Sequence, residues 1–158
     1  MAMGIRSNAT GLSSSSYGLQ ANAHGDYSLA LGAASNASAT NATAIGTFAK
    51  ASGVSSIAFG GNASAVANGT VSMGANATVR SNGSIAIGQN AMVDNYDYGT
   101  IKAMNSIAIG NNSYAGYANS TVVGANTKSN AVNNTLIGAN ILSFTSGNDV
   151  VAVGHGAN

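Results

Sequence analysis

Side chains able to do acid–base or metal chemistry are scarce in these 158 residues, and they do not assemble into a catalytic set. The four acids are Asp26, Asp94, Asp97 and Asp149, and only Asp94 and Asp97 are neighbours. His24 and His155 fall far apart, near turn-like stretches, and there is no Cys to act as nucleophile or soft metal ligand. Calcium-binding β-rolls repeat Gly-Gly-x-Gly-x-Asp, and no column of Asp recurs here. The expectation is therefore no catalytic residue, no metal, no cofactor and no enzyme. What remains is recognition. Between Val93 and Met104 the chain gathers Asp94, Tyr96, Asp97, Tyr98 and Lys102, which are two of its four acids, two of its six tyrosines and one of its five basic residues. Exposed tyrosines offer a rigid apolar body with a polar tip and suit contact surfaces.

The elements that must carry this cluster are set by a beat of glycines. Gly4, Gly18, Gly32, Gly46, Gly60, Gly74 and Gly88 are each 14 residues apart. One step of 22 leads to Gly110; Gly124 and Gly138 follow at 14, and Gly154 after 16. A fixed period of this kind marks a stack of repeated coils. High Gly, Ser and Asn content alone would suggest disorder, but disorder would not place an aliphatic pair before every beat.

Aligned on the glycine, positions one and three before it are large and apolar: Leu31 and Leu29, Phe59 and Ile57, Ile87 and Ile85, Ile109 and Ile107. Small residues sit between them. This alternation predicts a short β-strand with unlike faces, ended by a glycine bend. Three and five places after the glycine stand small residues such as Ala63 and Ala65, with a mostly polar residue between them, which predicts a second strand. Two strands of about five residues and two turns make a flattened, two-sided coil. About eleven such coils, paired in parallel at about 4.8 Å, make a rod. Large residues fill interiors, so the reading puts Ile85 and Ile87 inside, against Ala77 and Ala91. The other face of the first strand (Ala30, Ala44, Ala58, Ala86 and Ala108) is then turned outward. It is small, apolar and uncharged, as an interface between copies of the chain would be, and one thin roll needs such cover.

In this register the eight extra residues of the 22-residue step form an inserted loop near 94–102. Met92 stands beside Tyr114 in the outward column, with Tyr117 in the next turn. Insertions in repeat proteins map to loops, often on a binding face, so the candidate ligand-binding residues are Met92, Asp94, Tyr96, Asp97, Tyr98, Lys102, Tyr114 and Tyr117. The alternative is a loop that only decorates the rod. After Gly138, Ile141, Leu142 and Phe144 break the small-and-polar pattern and suggest terminal packing. Net charge is +1 with 6% charged residues, too little basic surface for nucleic-acid binding. No apolar run approaches the ~18 residues of a membrane span. No signal peptide is visible, and both ends fall inside the motif, as in a segment of a longer protein.

Asn105-Ser106-Ile107-Ala108-Ile109-Gly110, with Gly83-Ser84-Ile85-Ala86-Ile87-Gly88 and Ser56-Ile57-Ala58-Phe59-Gly60, resembles the head repeats of YadA-type trimeric autotransporter adhesins. The resemblance runs through essentially the whole chain. It implies an all-β, left-handed parallel β-roll, although crossover preference alone would suggest the right hand. It also implies a homotrimer on the outer membrane surface of a Gram-negative bacterium, anchored only through a C-terminal part not in this sequence. Expected partners are host matrix proteins, cell-surface receptors or other bacteria, with self-association among them. Two rival readings are a structural spacer in a surface fibre and an ice-binding solenoid. The second would need a regular Thr ladder, whereas the outward column runs Asn36, Lys50, Ser64, Thr78, Met92, Tyr114.

Overall fold

A computed structural model describes residues 1–94, 103–143 and 148–157. Each coil contributes one strand to each of two parallel sheets. The first sheet holds eleven strands, from Ala2–Met3 to Val151–Val153, and the second holds ten, from Asn8–Ala9 to Leu142–Ser143, each stacked in chain order. The strands are shorter than the alternation suggests, three residues in Ile85–Ile87 and two in Met92–Val93. Turns therefore take up more of each coil than strands do.

The motif glycines stack in one column at φ between 127° and 141°. Gly88 shows why no other residue fits: a Cβ there would stand 2.5 Å from the carbonyl oxygen of Gly110 in the next coil. Each coil has two further left-handed residues, one per turn. From the fifth coil onward they are Asn, Gly or Asp, as at Asn76, Asn90, Asn112 and Asn126 on one edge and Gly83, Asn105 and Asn119 on the other. Asn tolerates this region better than other non-glycine residues, so its abundance is conformational rather than merely compositional. In the first four coils the same positions hold Arg6, Gln20, Ala34, Phe48 and Tyr27 among others, and the turns there are strained. Buried hydroxyls lock the turns by donating three residues back, as from Ser56 to the Gly53 carbonyl at 2.6 Å and from Ser35 to that of Gly32 at 2.9 Å.

The expected interior is reversed. Ala30, Ala44, Ala58, Ala86 and Ala108 are wholly enclosed within their own chain at 0% exposure and face the second sheet, so they are not available to a neighbouring copy. Ile85 and Ile87 are only partly covered and lie on the outer face, with Leu31 and Phe59 at 43% and 48% exposure. The physical reason is sheet separation. The second sheet also turns small residues inward (Ala23, Ala37, Ala51, Ala65), and one core cluster of buried residues from Ala21 to Ala65 consists entirely of alanine. In the N-terminal coils two alanine columns meet across a gap too narrow for isoleucine. The C-terminal cluster is more varied, with Val79, Val93, Val122, Leu136 and Ile141.

Candidate functional site

The sheets continue in register through the 22-residue step: Ile85 pairs with Ile107 and Ile87 with Ile109, while Met92 pairs with Tyr114. Tyr96, Asp97, Tyr98 and Lys102 lie outside the described residues, but the coil walls on either side of them are defined. Asp94, at the edge where the second strand ends, is 5% exposed and paired with the guanidinium of Arg80 one coil earlier. It is the only ion pair among the described residues. Its geometry follows from the period: Arg80 and Asp94 occupy the same position of successive coils, 14 residues apart.

Tyr114 sits one coil beyond. Its ring lies across the backbone of Gly116, where an added Cβ would come within 2.6 Å of Cε1 and 2.8 Å of the hydroxyl oxygen. Glycine at this position is therefore what lets the ring lie down. Burial, chiefly, and then the nearby Asp94 carboxylate and Tyr117 push the Tyr114 phenol above its ordinary value of 10.0, so it stays a neutral donor under ordinary conditions. Asp94, Tyr114 and Tyr117 therefore form one neighbourhood beside the insertion, with Met92 next to Tyr114 in the sheet.

Several contributors escape a reading confined to the insertion. Arg80 could have been found from its 14-residue spacing to Asp94, and Gly116 from being a glycine where other coils carry Ser38, Ser52 or Val66. Lys128 follows Tyr114 in the outward column, and Met92, Tyr114 and Lys128 floor a shallow groove of about 540 Å³. Its other wall is a ladder of asparagine amides: Asn90 donates to Asn112 at 3.1 Å and Asn112 to Asn126 at 3.1 Å. No group of three or more metal-ligating side chains occurs among the described residues.

The opposite sheet presents a different surface. From Met1 to Val153 its outward positions hold no charged residue, and Met3, Leu31, Ile57, Phe59, Met73, Ile137 and Val153 are all well exposed. Contiguous apolar surface of this extent marks an interaction face.

Comparison with known proteins agrees with this architecture. The two-copy YadA head domain repeat matches residues 9–35, 23–49, 37–63, 51–77, 65–91 and 102–127, together more than half of the chain. Among solved structures, the collagen-binding domain of the Yersinia adhesin YadA is similar, with a TM-score of 0.62 and 26% identity over 96% of this chain and 72% of that one. No curated protein sequence gave a significant match. The chain belongs to the YadA head domain repeat family and is an adhesin-type head.

Proposed function

We propose that three copies of this chain pack their isoleucine-bearing sheets around a common axis and present their second sheets outward as a non-enzymatic adhesive surface. The reading rests on one observation above others: the two sheets differ in kind. The first exposes a charge-free apolar face that needs cover, and the second is polar, with lysine, tyrosine and the insertion. Each large outward residue buried in an assembly contributes about 1.5–3 kcal/mol, which supplies what an alanine core cannot. The adhesive function is attachment of a Gram-negative surface to extracellular matrix or to cells, in keeping with the collagen-binding description of the similar Yersinia domain. Threefold repetition raises weak contacts to useful avidity. Within this surface the proposed contact site is the insertion with Met92, Asp94, Tyr114 and Tyr117 at its flanks.

Adhesion to a panel of immobilised matrix proteins tests this directly, comparing the parent with a variant lacking residues 95–102. That deletion restores the 14-residue step. The expected result is a folded assembly with reduced adhesion. Undiminished adhesion would place binding elsewhere, and no adhesion by the parent would favour a spacer role.

A further inference from the structure

The groove beside the insertion has its own chemistry. Its floor is Met92 and the Tyr114 ring, one wall is the amide row of Asn90, Asn112 and Asn126, and Lys128 stands at its far end. Because Tyr114 leans onto Gly116, it leans away from the asparagine row, and the space between them stays open. The amides are held in place by one another, so little side-chain freedom is left to lose on binding. Each ladder oxygen has a second lone pair, and Asn90 and Asn126 each keep an amide hydrogen that no neighbour among the described residues takes. Lys128 is exposed and makes no ion pair among the described residues.

The backbone of the floor is fully engaged. Met92, Tyr114 and Lys128 donate their amides to Ser113, Thr127 and Ile141 at 2.9, 2.9 and 2.8 Å. An extended peptide therefore finds no sheet edge to join, which is how such peptides usually gain affinity. A ligand that suits the groove has a flat apolar face for the tyrosine, a row of hydroxyls for the amides and one negative charge for the lysine.

We propose that this groove binds a carboxylated oligosaccharide, with a pyranose ring stacked on Tyr114, its hydroxyls on the asparagine row and its carboxylate on Lys128. The proposal adds a ligand class to the adhesive face, and it rests on the adhesin reading only for where such a ligand would be met. It can fail alone, because the groove residues persist in the variant lacking residues 95–102 and sugar binding can be measured there without any adhesion assay.

The test is calorimetric titration of the assembled protein with a hyaluronan tetrasaccharide, its carboxyl-reduced counterpart and polyglutamate. The parent should bind the carboxylated sugar and prefer it to the reduced form. Lys128→Gln should weaken binding about tenfold and erase that preference. Gly116→Ala should also weaken it by displacing the ring, and its melting curve establishes that the fold survives. No binding by the parent, equal binding of the reduced sugar, unchanged affinity in both variants, or displacement of the sugar by polyglutamate at matched affinity would each overturn the proposal.

Discussion

Ala44→Leu is the sharpest perturbation of the interior. Ala44 has no exposed surface, and its ladder neighbours Ala30 and Ala58 have none either. The hydrophobic cluster around it is all alanine, and buried hydroxyls such as Ser35 and Ser56 are tied to turn carbonyls, so few neighbours can repack to make space. Overpacking ordinarily costs 1–3 kcal/mol. With both adjacent coils hydrogen-bonded in register, relaxation means prising the sheets apart, and the upper end, about 3 kcal/mol per chain, is expected. Ile45→Ala, one residue along on the outer face, supplies the contrast: it should leave the isolated chain's fold intact and weaken association. Urea unfolding across a range of protein concentrations separates the two effects. The loss from Ala44→Leu should be independent of concentration, whereas that from Ile45→Ala should grow on dilution. If Ala44→Leu unfolds like the parent, or disturbs only association, the alanine column is not the interior.

Gly88→Ala places a Cβ against a backbone oxygen of the next coil at a φ of 131°, and should cost about 3 kcal/mol or more in thermal unfolding. Phe48→Asn replaces an exposed aromatic held at a φ of 59°. Relief of left-handed strain should stabilise the protein by about 1 kcal/mol, with Asn62 one coil on as a partner for the new amide; a destabilised variant would show that Phe48 packs against another chain. Tyr114, whose phenol is raised mainly by burial and then by Asp94, should contribute stability that is complete below pH 10.0 and is lost as pH rises through its higher folded value. Asp94→Asn should lower the Tyr114 pKa without restoring the ordinary value, as read from tyrosinate absorbance.

How much of this was legible in the sequence differs from residue to residue. The beat of Gly4 to Gly88 specifies the stacked bend because no side chain fits there, so coil length, parallel pairing and the placement of Met92 beside Tyr114 could all be read directly. Alternation in Ile85-Ala86-Ile87 announces two unlike faces, but it does not say which is inside. The rule that large residues go inward fails where the gap between sheets is set by two alanine columns. The clue was available in Ala21 and Ala23, already inward in the second strand, since a fourteen-residue coil closes tightly around them. The asparagines were the other loss. Asn90 and Asn112 read as generic polar residues, whereas the backbone uses them at φ of 56° and 54° and the side chains ladder. The lean of Tyr114 over Gly116 depends on a rotamer, which periodicity does not encode.

In the proposed assembly the outward isoleucine-bearing sheet packs against the other copies and leaves the tyrosine-bearing sheet free to adhere. Sedimentation equilibrium of the 15.4 kDa chain tests it most directly, with Ile57→Asp and Ile87→Asp placed together on that face. The parent should sediment at three times the chain mass and the variant should dissociate, because charge on a buried apolar interface is unpaired. A parent that sediments as a stable, folded monomer would contradict it.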